Sequence, residues 1–171
     1  LEAESHMRQL SNTTSSAETD REIKFIQENI PLTKDSTILD LACGNGRHTN
    51  RLANIYSQVT GLDYTKQLLD DASQNELINN GHFVNGNMLK IPFKNESFDL
   101  VLSMWQSLGY FSTERENNEV FRESSRVLKN GGYFFIEVNN PIRVITDLMI
   151  NGQIDSDGKI TVKGKLEDKM G

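Results

Sequence analysis

The chain has a single cysteine, Cys43, among its 171 residues, so no intrachain disulfide can form and a reducing compartment is expected. No apolar run approaches the ~20 residues of a membrane-spanning helix, and no signal-peptide pattern opens the sequence. It also lacks a dense Lys/Arg block: 18 basic against 24 acidic side chains give a net charge of −6. Such a surface repels phosphate backbones, which argues against nucleic acid as a partner. There is no internal repeat, and no Cys/His cluster suggests a metal site. These absences leave a soluble, cytoplasmic protein of one domain, long enough for a single sizeable core.

The opening LEAESHM reads as a vector-derived remnant, with Met7 as a native start. Leu10 to Asp20 is polar and Ser/Thr-rich, so residues 1–20 are expected to be remnant and flexible lead-in, and 21–171 the domain. From Arg21, the spacing of Ile23, Ile26, Gln27 and Ile30 predicts an amphipathic helix stopped by Pro31. Such a helix could cap the sheet or the ligand, and packing is the favoured reading.

An alternation of strands and helices follows. Thr37 to Ala42 reads as a strand and Asn45 to Tyr56 as a helix. Gln58 to Asp63 is a strand ending in an acid, and Thr65 is a fair N-cap for a helix whose apolar face is Leu68, Leu69 and Ala72. His82 to Val84 is a third strand and Phe98 to Met104 a fourth. Thr113 with Glu116 forms a capping box for a helix carrying Val120, Phe121, Ser124, Val127 and Leu128. Gly131-Gly132 is expected to stop that helix before a fifth strand, Tyr133 to Val138. Beyond Pro141, Ile142 to Ile150 could form another helix, and Lys159 to Lys163 a short strand.

This order predicts an α/β fold: a doubly wound, mostly parallel sheet with helices on both faces. Ligands bind such sheets beyond the carboxyl ends of the strands. The residues just after the strands, Cys43–Arg47, Asp63-Tyr64, Asn87-Met88 and Ser103–Tyr110, are therefore expected along one edge. The glycine turn after the first strand, Gly44-Asn45-Gly46, is expected to leave room for a ligand and to point backbone N–H groups at it. A nicotinamide fingerprint needs a third glycine where Thr49 stands, so this GxG alone does not choose the ligand.

The segment from Asp40 through Gly44 and Gly46 to Arg47 resembles motif I of the class I S-adenosylmethionine-dependent methyltransferases. The similarity continues in register through VTGLDYT, FVNGNMLKIPF, SFDLVLSMW and RVLKNGGYFFIEV, covering roughly residues 37 to 140. The resemblance implies S-adenosyl-L-methionine as cofactor and methyl transfer as reaction. It places the backbone of Ala42, Cys43, Gly44 and Gly46, leading to Arg47, against the methionine part. Asp40 is implied to accept from the cofactor ammonium, directly or through water, and Asp63 to take both ribose hydroxyls. Tyr64 and Met88 are implied to flank the adenine, and Asn87 to accept from its amino group where the family more often has Asp.

Methyl transfer relies mainly on alignment and on desolvating the sulfonium, so no acid–base residue is required and none is evident. The acceptor side is expected to be lined by the loop after the fourth strand, with Ser103, Trp105 and Tyr110 as candidates. That loop reads SMWQ and does not resemble the N/D-P-P-Y/F of base-amino methyltransferases, which favours a small-molecule acceptor. His48 is expected to face outward from the first helical turn. The family usually closes its sheet with a sixth and a seventh strand, for which residues 142–171 have only partial room. A truncated sheet is therefore expected, or an insertion over Asp155 to Lys165. The rival readings are a catalytically silent cofactor-binding protein of the same fold and a nicotinamide-dependent oxidoreductase.

Overall fold

The structure is a computed structural model and describes residues 16–74, 81–105, 107–109, 111–138, 152–154 and 160–162. The chain divides into two units, Leu1–Glu137 and Val138–Gly171.

The first unit is built on five parallel strands, β1 (Thr37–Leu41), β2 (Gln58–Asp63), β3 (Gly81–Asn85), β4 (Phe98–Ser103) and β5 (Leu128–Ile136), in the order β3-β2-β1-β4-β5. This is the expected doubly wound sheet, with the reversal of strand order falling between β1 and β4. Its helices are α1 (Ser16–Asn29), α2 (Arg47–Ala53), α3 (Lys66–Ser73) and α4 (Glu114–Val127).

The two-residue period of a strand sends alternate side chains to opposite faces, and β1 serves both. Ile38 joins a cluster with Ile23 and Ile26 of α1, Ile30 just beyond it, Leu52 of α2, Val59, Leu100 and Leu102. Leu39 and Leu41 join the opposite cluster, with Leu62, Val101, and Val120 and Val127 of α4. Asp40, two residues after Ile38, shares the α1/α2 face, which turns its carboxylate toward the first turn of α2. In register, Asp40 pairs with Gly61, Asp63 with Asn85 and Ser103 with Ile136, so the strand ends line up at one edge.

Several boundaries differ from expectation, among them three that bear on packing. Helix α1 begins at Ser16, so residues 16–20 are not lead-in: Thr19 is buried on the face of Ile23 and Ile26, and Arg51 of α2 ties down Asp20 (2.8 Å) and Ser16. Helix α2 ends at Ala53 rather than Tyr56, although Tyr56 is still buried in the core. Helix α4 ends at Val127, and Gly131-Gly132 lies inside β5 at the register shift opposite Phe98–Leu100, not at a helix stop. Gly131 has φ 80°, and a Cβ on Gly132 would sit 3.1 Å from the Asp99 carbonyl, so the irregular strand needs both glycines. Thr113 caps α4 as expected, its hydroxyl accepting from Glu116 N–H (3.2 Å), while the Glu116 carboxylate accepts from that hydroxyl (2.7 Å). Thr65 stands at the N-cap of α3, but its side chain makes no capping bond.

In the second unit, β6 (Gly152–Ile154) and β7 (Ile160–Val162) pair antiparallel, with Gln153 opposite Thr161. The strand expected within Lys159 to Lys163 is present. The helix expected over Ile142 to Ile150 lies outside the described residues.

Candidate functional site

The turn after β1 takes left-handed backbone at three of its five residues: Ala42 (φ 60°), Gly44 (55°) and Gly46 (76°). For Ala42 this conformation is strained, and strain of ~1–3 kcal/mol persists only where the surroundings enforce it. Here the Cys43 N–H donates to the Leu62 carbonyl (3.0 Å), Gly44 N–H to Asp63 Oδ2 (2.8 Å) and Gly46 N–H to the Cys43 carbonyl (3.0 Å). The Cys43 and Gly44 amides therefore hold the turn against the end of β2, the Gly46 amide closes the turn on itself, and these three are not free to meet a ligand, contrary to the sequence expectation.

The two glycines are required for different reasons. A Cβ on Gly44 would meet nothing within 4 Å, so this residue opens onto free space beside Asp63. A Cβ on Gly46 would lie 2.8 Å from the Phe83 ring and 2.9 Å from Ala72, so Gly46 serves the packing of α2 against β3 and α3. The third glycine of a nicotinamide fingerprint, which lets helix and strand approach closely, has a counterpart in the sheet. A Cβ on Gly61 would sit 2.7 Å from Thr49 Oγ1 and 2.8 Å from Cys43 Sγ.

Asp63 is buried and braces both sides of the edge, since its Oδ1 also accepts from Thr65 N–H (2.8 Å). Each carboxylate oxygen has a second lone pair for a ligand hydroxyl. Asp40 is 1% exposed, and its Oδ2 accepts from Thr49 N–H (3.0 Å) and Oγ1 (2.7 Å). Burial pushes its pKa up, opposed by His48, the Thr49 bonds and Arg47. A cofactor ammonium would reach Asp40 through water or after Thr49 gives way. The Cys43 thiol is also buried, and burial, with Asp40 and Asp63 nearby, raises its pKa far above the usual thiol range. It is no nucleophile in this setting.

The remaining candidates are spread along the same edge. Tyr64 is 77% exposed. Asn87 is exposed and its Oδ1 accepts from Leu89 N–H (2.8 Å), closing a turn, while Met88 is half-buried against the α4-side core. Ser103 is buried, and its hydroxyl has no hydrogen-bond partner among the described residues. Tyr110 lies outside the described residues.

Sequence reasoning missed the acid that links the two ends of this edge. Glu22 of α1 accepts from Arg47 (Nη1, 3.1 Å) and from the Trp105 indole N–H (3.2 Å), and its Oε2 lies 2.8 Å from His48 Nε2. His48 is therefore buried, not outward-facing as expected. The Arg47 guanidinium lies over the Trp105 ring, 4.8 Å from its centroid. Trp105 itself has φ 54°, and its backbone N–H donates to Glu137 Oε2 (2.9 Å). Burial pushes the Glu22 carboxyl up, but the hydrogen bond and charge of His48, the charge of Arg47 and the Trp105 N–H outweigh it and hold it below the usual range. The signal was present: Thr19, Glu22/Ile23, Ile26 and Ile30 lie on one helical face, so Glu22 borders the buried stripe.

A glycine turn braced by an acid at the end of β2, at the carboxyl edge of a 3-2-1-4-5 parallel sheet, defines a nucleotide-type cofactor site of the Rossmann-like class. A family profile described as a methyltransferase domain matches residues 38–132, more than half of the chain. The chain belongs to the class I S-adenosylmethionine-dependent methyltransferases, and the cofactor that membership implies is S-adenosyl-L-methionine. YqeM of Bacillus subtilis (strain 168) is 32% identical over 131 residues, which cover 76% of this chain and 52% of that protein. The demethylmenaquinone methyltransferase of Staphylococcus haemolyticus is 27% identical over 154 residues, covering 84% of this chain and 62% of that protein. The crystal structure of an S-adenosylmethionine-dependent methyltransferase from Clostridium acetobutylicum ATCC 824 shares the fold, with TM-score 0.67 at 23% identity over 85% of this chain and 59% of that one. The chain spans about half the length of the first two curated relatives it matches. Among the described residues, no helix is long and apolar enough to cross a membrane, and no cluster of His, Cys, Asp and Glu could hold a metal ion.

Proposed function

We propose that this chain is the cofactor-binding catalytic domain of a methyltransferase acting on a small molecule. The observation that carries the reading is Asp63: it is anchored by Gly44 N–H and Thr65 N–H, and it stands beside Gly44, where an added Cβ would meet nothing within 4 Å. S-adenosylmethionine supplies an electrophilic methyl on a sulfonium. Asp63 would take the ribose hydroxyls on its remaining lone pairs, and the Ala42–Gly46 backbone would lie along the methionine part with Gly44 as the point of approach. Asp40 acts from behind, holding the first turn of α2 through Thr49. Tyr64, free at the surface, would close over the adenine, with Asn87 and Met88 on its other side.

The acceptor would enter past the loop after β4, where Trp105 presents an aromatic surface and Ser103 a buried hydroxyl with no partner among the described residues. A small-molecule acceptor is supported by the name of the staphylococcal relative, by the absence of an N/D-P-P-Y/F sequence and by the acidic net charge. Calorimetry with S-adenosylhomocysteine and with NAD tests the cofactor: binding of NAD with none of the homocysteine compound would end the reading. Release of S-adenosylhomocysteine across a panel of small-molecule and oligonucleotide acceptors tests the chemistry. Turnover on oligonucleotides alone would overturn the acceptor class.

A further inference from the structure

The polar cluster around Glu22 is larger than the docking of α1 requires. Ile23, Ile26 and Ile30 are each 6% exposed or less and already seat the helix, and Asp20 pairs with Arg51 beside them. A partly buried ion pair adds little net stability, because desolvating both charges offsets their attraction. What the cluster does contribute is geometry. Arg47, the first residue of α2, is held by Glu22 and by the Thr19 hydroxyl (3.0 Å), and its guanidinium covers one face of Trp105. Trp105 is fixed at three points in a left-handed conformation unfavourable for an aromatic residue: the backbone N–H by Glu137, the indole N–H by Glu22 and the ring by Arg47. Backbone strain enforced from several sides points to function.

We propose that Glu22 is a positioning residue that couples the glycine turn to the loop after β4: by clamping Arg47 onto the Trp105 ring, it makes the acceptor-side loop respond when the turn receives its cofactor. This rests on the proposed function for the identity of the ligand, and the coupling runs through three side chains of this chain. Arg47 follows Gly46 directly, so a shift of the turn moves the guanidinium that lies over the ring.

Trp105 is the sole tryptophan, so intrinsic emission and its quenching by acrylamide report on this cluster alone. The probe ligand is S-adenosylhomocysteine, and the key variant is Glu22→Gln, which keeps the side-chain shape and an acceptor for the indole but removes the charge facing Arg47 and His48. In the unaltered protein the ligand should change Trp105 emission and reduce quenching. In Glu22→Gln the ligand-induced change should fall to below about half, with affinity within about threefold of the original. Glu22→Ala should abolish the change. Lys24→Ala, in an exposed i,i+4 pair with Glu28 on the same helix, should behave like the unaltered protein.

A full-size ligand response in Glu22→Gln would overturn the proposal, as would an affinity loss beyond about tenfold, which would make Glu22 a cofactor contact instead. A matching effect of Lys24→Ala would also overturn it. Failure of the unaltered protein to bind S-adenosylhomocysteine would refute the cofactor reading, not the clamp. The clamp is then judged without ligand: Glu22→Ala must raise acrylamide quenching of Trp105, and an unchanged value overturns it.

Discussion

Adding one methyl group at Gly61, which lies in β2 and outside the turn, should damage the cofactor edge. An alanine Cβ there would stand 2.7 Å from Thr49 Oγ1, 2.8 Å from Cys43 Sγ and 3.0 Å from the Phe83 ring. All three distances are at or below the limit that real Cβ atoms tolerate, and Thr49 and Cys43 are buried, so neither short side chain can swing into solvent. Overpacking of this kind costs about 1–3 kcal/mol. Displacing Thr49 also threatens its 2.7 Å bond to Asp40, a fully buried carboxylate whose loss of a donor adds about 1–3 kcal/mol. A combined loss near 3 kcal/mol corresponds to a fall in Tm of roughly 6–12 °C for a chain of this size.

Urea denaturation followed by circular dichroism measures the loss, and a double-mutant cycle assigns it. Thr49→Ala removes the atom that the new methyl strikes, so Gly61→Ala combined with Thr49→Ala should cost less than the sum of the singles by about 1 kcal/mol. A Gly61→Ala protein within about 0.5 kcal/mol of the original, or a strictly additive cycle, would refute the idea that Gly61 supplies the close approach that a third glycine provides in nicotinamide sites.

Asp63→Ala should weaken S-adenosylhomocysteine binding by at least about tenfold, since both ribose acceptors and the anchor of Gly44 are removed together; unchanged affinity in calorimetry would disprove the ribose assignment. Asp40→Asn should keep the Thr49 acceptor while removing a buried charge. Because the folded-state pKa of Asp40 is raised, its ionisation makes stability fall as pH rises through the unfolded carboxylate value near 4, so the variant should be equally or more stable at pH 7. Loss of stability at pH 7 would show that the charge itself is needed. Asp99 has the opposite sign: burial pushes it up, but hydrogen bonds from Thr37 N–H, Lys129 and the Thr37 hydroxyl hold it below the usual range. Its contribution is present above the unfolded value and lost as pH falls, so Asp99→Asn should flatten the acid limb of a stability–pH curve; an unaltered limb would count against it. The buried Cys43 should resist an aromatic disulfide reagent at pH 8 in the folded protein and react at once in denaturant; rapid reaction when folded would contradict its burial.

Where local chemistry and tertiary demand agree, the sequence was readable. The strand Gln58–Asp63 has its expected bounds because an apolar run closed by an acid is both a local pattern and the requirement of a buried parallel strand with its end at a polar edge. Gly131-Gly132 misled because a glycine pair after a helical stretch is a common helix stop. In this fold the helix ends four residues earlier, and the glycines allow β5 to pass close to the Asp99 carbonyl, a constraint 33 positions away in the chain. Gly61 and Thr49 teach the same lesson: the absent third glycine was visible, but its replacement in the next strand needed the β1–β2 register to be recognised. The cluster at Glu22 was hardest to read, since it joins residues 22, 47, 48 and 105 from two helices and the loop after β4. A charged residue beside an isoleucine stripe looks like solvated surface until its partners are known. The helix read chiefly as packing therefore supplies a side chain that holds both Arg47 and Trp105, and its effect can be read directly from Trp105.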